Sequence, residues 1–409
     1  MRSRKRARAR RRRTGEMQMR SSRFSRTMQR TARPEVGKQR ASRQHFQQCP
    51  LGARLMCIVH RSYVMESWAR AGLLAGFVAV ASCRSAAPLP TTTQPAPSQS
   101  RPERPANPLP GSSSLWGFTA PWDSRSDSSV RATTTKLDAV VTGWIQLDSV
   151  TSLPSLRYPD STRNYSGRQR LTLITSWHGE RFHPETVRRL GTDAAALSLA
   201  ASRVGALVAA GDYRGVVLDF EDQSPADLPI LVRVASAIAD SAKAHGAAFA
   251  AIALPAADTA GYPTRAFIPA LDLVVIMLYD EHWSTSAPGP VATPDWVRRT
   301  LARRLSDVGA SRVVAALPLY GYLWRGNRPA EAVSFADARR AASEANVELV
   351  RDPASLSLHA IQPGSWELWM SDAHLLRALR AEVNSLGVSR VALWRLGLED
   401  PGVWAVFDR

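Results

Sequence analysis

The chain has 409 residues, of which 44% are hydrophobic, and its formal net charge is +18 at pH 7. Residues 1 to 64 hold 19 of its 53 Lys and Arg but 2 of its 35 Asp and Glu, so the rest of the chain is close to neutral. A near-neutral remainder excludes a folded domain that binds nucleic acid through clustered positive charge. The length allows one large domain or two ordinary ones.

The basic residues are concentrated at the start of the chain, which begins MRSRKRARARRRR. Such a run is typical either of a disordered tail or of a segment that binds nucleic acid or directs localisation. No folded or aromatic-interleaved nucleic-acid module follows it. We therefore interpret residues 1 to 64 as a basic disordered tail or an over-extended translation start, and we expect no nucleic-acid partner.

Residues 65 to 83 have the pattern of an export signal, MESWARAGLLAGFVAVASC. Arg70 gives a short charged region, and residues 71 to 81 form an apolar stretch too short for a stable membrane-spanning helix. Residues 80 to 83 (VASC) resemble a bacterial lipobox, which implies cleavage before Cys83 and lipidation of its thiol. The alternative is an ordinary secretory signal cut nearby. We expect a protein of the bacterial cell envelope, lipid-anchored to the membrane or secreted.

The segment after Cys83 has the composition of a linker. Residues 84 to 113 are rich in Pro, Ser and Thr, so they cannot form a core and would hold a folded domain away from the membrane. The three cysteines are Cys49, Cys57 and Cys83, and none follows them. We therefore predict a domain with no disulfide and no cysteine-based metal site.

From residue 114 to residue 409, strand-like apolar runs alternate with amphipathic helical segments. Strand–helix alternation predicts a parallel sheet, and eight such units predict a single (β/α)8 TIM barrel. A doubly wound open sheet is the alternative, although no GxGxxG follows an early strand. The predicted strands are 115–122, 137–147, 171–177, 215–221, 247–255, 271–279, 312–322 and 390–397, and helices are predicted at 193–210, 226–245, 294–308, 335–346 and 373–386.

The strand GVVLDFE (215–221) carries two carboxylates where a buried strand would be apolar. Side chains alternate along a strand, so Val217, Asp219 and Glu221 share one face. In a barrel this face leads from the core to the open mouth at the C-terminal end, where active sites lie. The alternative is that the carboxylates cap the next helix, but Asp222 or Ser224 could do so instead.

Tryptophans follow several predicted strands and indicate a carbohydrate cleft, because indole faces stack on the apolar faces of sugars. No HExxH or comparable spacing occurs, so we predict no metal and no cofactor. The tryptophans at or just beyond predicted strand ends are Trp122, Trp144, Trp177, Trp283, Trp324 and Trp394.

Four separated motifs resemble glycoside hydrolase family 18, the chitinase-like (β/α)8 enzymes, and look closest to the bacterial branch that hydrolyses peptidoglycan and spore cortex. RGVVLDFE (214–221) aligns with the family motif DxxDxDxE, and MLYD (277–280) with Met-x-Tyr-Asp. ALPLYGYLW (316–324) and VALWRLGLEDPGVW (391–404) resemble the family's seventh and eighth strands.

The resemblance implies hydrolysis of a glycan that contains N-acetylated sugars, with the substrate's own acetamido oxygen as the nucleophile. Glu221 matches the general acid/base, and Asp219 the carboxylate that orients the acetamido group. Tyr279 matches the hydroxyl that bonds the acetamido oxygen. The substrate-binding residues that we expect are Asp280, Trp394, Met277, Trp283 and Trp122.

Two residues depart from the family motif. Arg214 replaces its first Asp and Val217 its middle Asp, which in the family exchanges a hydrogen bond with the residue matched by Asp219. Valine cannot do so, and an apolar neighbour should raise the pKa of Asp219. Two functions therefore remain open: a glycosidase, or a catalytically weak or inactive glycan-binding barrel at the cell envelope.

Overall fold

The computed structural model describes residues 113–133, 135–158, 160 and 169–408. The basic tail, the export-type signal with Cys83 and the predicted linker up to residue 112 lie outside the described residues.

Strands and helices alternate along most of this region, as the sequence predicts. The strands are β1 (Ser114–Phe118), β2 (Ala139–Leu147), β3 (Pro154–Leu156), β4 (Gln169–Thr175), β5 (Trp177–His178), β6 (Arg181–Phe182), β7 (Gly215–Asp219), β8 (Phe249–Pro255), β9 (Leu273–Met277), β10 (Val313–Pro318), β11 (Gly321–Trp324), β12 (Glu331–Val333), β13 (Val350–Arg351), β14 (Leu358–Gln362), β15 (Trp366–Met370) and β16 (Arg390–Trp394). The helices are α1 (Ser124–Thr133), α2 (Pro184–Thr192), α3 (Ala194–Gly211), α4 (Leu228–Ala244), α5 (Pro294–Leu305), α6 (Phe335–Glu344), α7 (Ala373–Ser385) and α8 (Val403–Val406).

Eight parallel strands close into a barrel. Their order is β1, β2, β4, β7, β8, β9, β10 and β16, and β1 pairs in parallel with both β2 and β16. Each of the eight predicted runs overlaps one of these strands, although β1 and β4 begin one and two residues before their runs. The (β/α)8 barrel is therefore confirmed, and the open-sheet alternative is wrong because the two edges of the sheet are joined.

The two faces of each barrel strand form two separate layers of the core. The inward layer contains Val217 with branched, small and aromatic side chains from neighbouring strands, such as Leu173 and Ala251. The outward layer contains Val216 and Leu218, which pack with the helices. The predicted alternation along 215–221 is therefore confirmed, with Val217 fully buried inside the barrel.

Several helices begin with a side-chain cap. The Asp193 side chain accepts from the first backbone N–H groups of α3, and Thr293 and Asp372 do the same for α5 and α7. Helix α3 is long and apolar enough to span a membrane by length and composition alone. Its buried residues, including Val204 and Val208, belong to the outward core layer, which is the ordinary position of a barrel helix.

The connections between barrel strands differ from those predicted. Helices α1 and α2 were not predicted, and a short 3-10 turn (Thr264–Ala266) is the helical element between β8 and β9. The run 312–322 divides after Pro318 into β10 and β11, and β11 joins a five-stranded antiparallel sheet in the order β12, β11, β15, β14, β13. Helix α6, predicted as a barrel helix, instead packs on this inserted sheet.

Candidate active site

A cavity of about 430 Å³ lies at the C-terminal ends of the barrel strands. Its lining is mostly aromatic and apolar, with four carboxyl groups. Seven of the eight predicted catalytic and substrate-binding residues line it: Asp219, Glu221, Tyr279, Asp280, Met277, Trp122 and Trp394.

Trp283 is the predicted substrate-binding residue that does not line the cavity. It lies in the loop after β9, is 49% exposed, and donates its indole N–H to the Thr285 hydroxyl. Trp283 follows Met277, the last residue of β9, by six positions, and its role in substrate binding stays a prediction. That distance lets the loop carry the ring away from the barrel mouth.

Asp219 is the last residue of β7 and stands two residues above Val217. Its side chain is 8% exposed, and Oδ2 accepts a hydrogen bond of 3.3 Å from the Thr175 hydroxyl. Thr175 ends the neighbouring strand β4, in register with Asp219. Burial raises the pKa of Asp219 to about 7, and the bond from Thr175 opposes this rise. The predicted direction of the pKa shift is therefore confirmed.

Glu221 lies just beyond the end of β7 and reaches into the same cavity. Burial raises its pKa well above the usual value, and the negative charges of Asp219, Asp222 and Asp280 raise it further. Two neighbouring buried carboxyl groups resist double ionisation. Glu221 can therefore keep a proton at neutral pH and act as a proton donor.

Asp280 follows β9 and is held by two tyrosines to which the sequence analysis gave no role. Its Oδ1 accepts hydrogen bonds from the hydroxyls of Tyr320, at 2.5 Å, and Tyr322, at 3.2 Å. Burial raises the pKa of Asp280, and these two bonds oppose the rise. Both tyrosines occur in the motif ALPLYGYLW. Two hydroxyl side chains at the end of an apolar strand were the sequence signal that could have indicated a role in the site.

Tyr279 and Trp394 form an aromatic pair beside the carboxyl groups. Their rings are stacked at 16° with centroids 6.3 Å apart, and Phe118 meets Trp394 edge-on. Burial, together with the charges of Glu221 and Asp219, raises the pKa of Tyr279 well above its usual value. Its hydroxyl is therefore protonated, and available as a hydrogen-bond donor, at neutral pH.

The other wall of the cavity is built from aromatic rings of the first strands and the β5–β6 hairpin. Trp122 meets Trp144 edge-on at 4.8 Å, and Trp177 meets Phe182 at 5.1 Å. Four of the six tryptophans predicted at strand ends therefore line the cavity. Trp324, like Trp283, lies outside it, and its indole N–H donates to the Ser286 carbonyl.

The cavity is lined by acidic but not by basic side chains. Its titratable residues are four carboxylic acids and a tyrosine, and no Lys, Arg or His is among the lining residues. Within the part of the chain that the structure describes, no group of three or more His, Cys, Asp or Glu residues has the arrangement of a metal site.

Comparison with known proteins shows similarity to proteins named as glycosylases and chitinases. No family model matches it. It is 27% identical over 249 residues to YdhD of Bacillus subtilis (strain 168), a protein named as a sporulation-specific glycosylase. The matched region covers 57% of this chain and 59% of YdhD. The chain thus spans less than two thirds of the length of that relative.

Solved structures show the same fold. The spore cortex-lytic enzyme SleL of Bacillus cereus matches with a TM-score of 0.63 and 19% identity, over 72% of this chain and 73% of that one. A class V chitinase of Pseudomonas fluorescens Pf-5 matches with a TM-score of 0.65 and 22% identity, over 72% and 98%. The chain is therefore similar to the spore-cortex glycosylases and chitinase-like barrels that its motifs resemble, and that predicted resemblance is confirmed.

Proposed function

We propose that the chain is a glycoside hydrolase that cleaves a glycan containing N-acetylglucosamine by substrate-assisted, retaining hydrolysis. The observation that carries this proposal is Glu221, a carboxyl group with a strongly raised pKa beside Asp219 and Tyr279 in an aromatic cavity. A protonated acid in such a position can donate to a glycosidic oxygen, which a binding site has no need to do.

Bond cleavage begins when the Glu221 carboxyl gives its proton to the glycosidic oxygen. The acetamido oxygen of the same sugar attacks the anomeric carbon, and the leaving sugar departs with the proton. Asp219 accepts the acetamido N–H and stabilises the positive charge of the oxazolinium that forms. The Glu221 carboxylate then removes a proton from water, which attacks the anomeric carbon. This attack opens the oxazolinium ring, restores the acetamido group and gives net retention of configuration.

Tyr279, Asp280 and the tryptophans bind the reacting sugar. The Tyr279 hydroxyl donates to the acetamido oxygen and turns it towards the anomeric carbon. Trp394, stacked on Tyr279, offers an apolar face beneath the sugar ring. Trp122 and Met277 widen this apolar surface, and Asp280 accepts a sugar hydroxyl.

The cavity lining and the relatives both support the proposed substrate class. Four carboxyl groups without a facing cation favour uncharged acetamido sugars over anionic ones. The names of the relatives, a sporulation-specific glycosylase, a spore cortex-lytic enzyme and a chitinase, support peptidoglycan or a chitin-like polymer. The predicted lipobox at Cys83 supports a place at the bacterial cell envelope, reached through a lipid anchor.

The second candidate function is a barrel that holds glycan without turnover. Val217 favours it, because Asp219 stands on an apolar side chain and its bond from Thr175 is long at 3.3 Å. Glu221 favours the hydrolase, because its burial beside three other carboxylates has a use in proton transfer and none in binding.

The deciding experiment compares chitin oligomers and purified peptidoglycan with their N-deacetylated forms and measures new reducing ends. A hydrolase with substrate assistance should cleave the acetylated glycans and leave the deacetylated forms intact, since these lack the nucleophile. Equal cleavage of both forms would contradict substrate assistance. Binding of acetylated glycan without new reducing ends would favour the second candidate.

A further inference from the structure

The backbone that carries Glu221 is held in an unfavourable conformation. Asp222, the next residue, has φ 59°, in the left-handed region that non-glycine residues seldom occupy. Strand β7 has already ended at Asp219, so the sheet ladder no longer fixes this segment. The position of the Glu221 carboxyl therefore depends on bonds from elsewhere in the fold.

Tyr262 supplies two of these bonds through one hydroxyl group. The hydroxyl donates to the Phe220 carbonyl at 3.1 Å and accepts from the Gln223 backbone N–H at 2.9 Å. It thus bridges the residue before Glu221 and the second residue after it, across the left-handed Asp222. The Gln223 side chain adds a third bond, from Nε2 to the Glu221 carbonyl at 3.0 Å.

Tyr262 itself is fixed by a buried guanidinium. Arg304 on α5 is fully buried and donates to four main-chain carbonyls, that of the last residue of β8 and three in the loop after it. The acceptors include Ala256 at 3.1 Å, Asp258 at 2.8 Å and Tyr262 at 2.5 Å. A planar cation with five donors is well suited to hold a loop in one conformation. Neither Arg304 nor Tyr262 lines the cavity.

We propose that Tyr262 is a positioning residue for proton transfer by Glu221, and this proposal rests on the proposed hydrolase function. A buried hydroxyl outside the cavity joins both sides of the Glu221 segment to a loop locked by Arg304. Loss of that hydroxyl frees the carboxyl to move by a fraction of an ångström. Such a displacement slows proton donation far more than it weakens glycan binding.

A purely structural role for Tyr262 makes a different prediction. Tyr262 also packs in the outward core layer, so its substitution lowers stability in either case. A defect in proton donation depends on the leaving group, because nitrophenolate departs readily without a proton and a sugar alkoxide does not. A general loosening of the site slows both leaving groups to the same extent.

The test compares Tyr262→Phe with Tyr213→Phe as a matched control. Tyr213 is also buried and lies just before β7, and its hydroxyl donates to Asp160 at 3.0 Å. Each variant removes one bonded hydroxyl from a buried ring at one end of the same strand. The substrates are the N-acetylglucosamine tetramer, which has a sugar leaving group, and the nitrophenyl glycoside of the dimer.

For Tyr262→Phe we expect kcat on the tetramer to fall at least tenfold, with KM within twofold of the wild-type value. We expect kcat on the nitrophenyl glycoside to fall less than threefold, and Tyr213→Phe to leave both values within twofold. Equal slowing of both substrates by Tyr262→Phe, or the same selective slowing by Tyr213→Phe, would overturn the proposal.

A second measurement does not depend on turnover. Hydrogen exchange at the Gln223 amide should be at least tenfold faster in Tyr262→Phe than in the wild type, and unchanged in Tyr213→Phe. Unchanged exchange at Gln223 in Tyr262→Phe would overturn the proposal whatever the kinetics show. A wild-type protein that cleaves neither substrate refutes the proposed hydrolase instead, and the exchange result then still decides whether Tyr262 holds this segment.

Discussion

At the scale of single residues, Val217 contributes to the apolar surroundings that raise the pKa of Asp219. The valine fills the barrel beneath Asp219 and offers no hydrogen bond, so burial leaves the pKa of Asp219 at about 7. In the proposed mechanism Asp219 must be ionised to stabilise the oxazolinium. Turnover should therefore increase as pH rises through about 7, which is high for an aspartate.

Val217→Asn should shift this acidic limb of the kcat profile to lower pH. An amide N–H beneath Asp219 stabilises the carboxylate and lowers its pKa by about one unit, since a hydrogen bond to a charged group contributes about 1.5 kcal/mol. We expect unchanged or higher activity, together with a lower melting temperature, because a polar group in the barrel costs roughly 1–3 kcal/mol if unpaired. The measurement is kcat against pH, with Val217→Leu as an apolar control. An acidic limb that stays in place in the Asn variant would contradict this reading of the site.

Asp219→Asn should stabilise the fold above neutral pH. The folded-state pKa of Asp219 is raised, so its contribution to stability is fully present below the unfolded pKa, near 4, and is lost as pH rises through about 7. The free energy of unfolding of the variant should exceed the wild-type value by on the order of 1–4 kcal/mol at pH 8 and differ little at pH 4. Urea unfolding at the two pH values measures this difference.

Asp123→Asn is the control of opposite sign. Burial alone would raise the pKa of Asp123, but hydrogen bonds from Arg125 and Arg395 outweigh it and hold that pKa well below the usual value. The stability from this ion cluster is present above the unfolded pKa and lost on acidification. Asp123→Asn should therefore destabilise the fold at pH 8. Stabilisation by both variants would show that general charge reduction, and not the burial of Asp219, is responsible.

At the scale of elements, regular features could be predicted from the sequence and inserted ones could not. The eight apolar runs and the alternation along 215–221 depend on local periodicity, and each run overlaps a barrel strand. The strands of the inserted sheet pair antiparallel with one another, outside the strand–helix alternation from which the barrel was predicted. Tyr322 lies on β11 of that insertion, so its contact with Asp280 could not be derived from the barrel alternation.

Removal of the Tyr320 hydroxyl should reduce turnover more than removal of the Tyr322 hydroxyl. Tyr320 is 4% exposed and donates to Asp280 at 2.5 Å, whereas Tyr322 on β11 is more exposed and donates at 3.2 Å. A buried hydrogen bond to a carboxylate contributes about 1.5–3 kcal/mol, so Tyr320→Phe should lower kcat/KM by about 10- to 100-fold. Tyr322→Phe should have a smaller effect. Equal kinetics in Tyr320→Phe and the wild type would contradict the proposed role of Asp280 in binding the substrate.

At the scale of the whole molecule, the excess positive charge and the candidate active site belong to separate parts of the chain. The positive charge is concentrated in residues 1 to 64, and the cavity is lined by carboxyl groups. The predicted lipobox and the Pro-rich segment lie between them. This order is consistent with the proposed lipid anchor and with a substrate outside the membrane.

Cys83→Ala should release the protein from the membrane fraction of a bacterial host with lipoprotein processing. The lipid anchor requires the Cys83 thiol, and no cysteine follows it in the chain. Cys57→Ala, which removes a cysteine before the predicted cleavage point, is the matched control and should leave fractionation unchanged. Continued membrane association of Cys83→Ala, without lipid labelling of the wild type, would refute the anchor.

The most direct test of the central claim is turnover of N-acetylated glycan by Glu221→Gln. The amide keeps the shape of the side chain but has no acidic proton, and loss of a general acid lowers kcat by about 10²- to 10⁴-fold. Glycan affinity should change little. Glu281→Gln is the matched control, because Glu281 accepts from the Thr293 backbone outside the cavity. We predict a large loss of kcat in Glu221→Gln alone, and equal turnover by Glu221→Gln and the wild type would contradict the proposed mechanism.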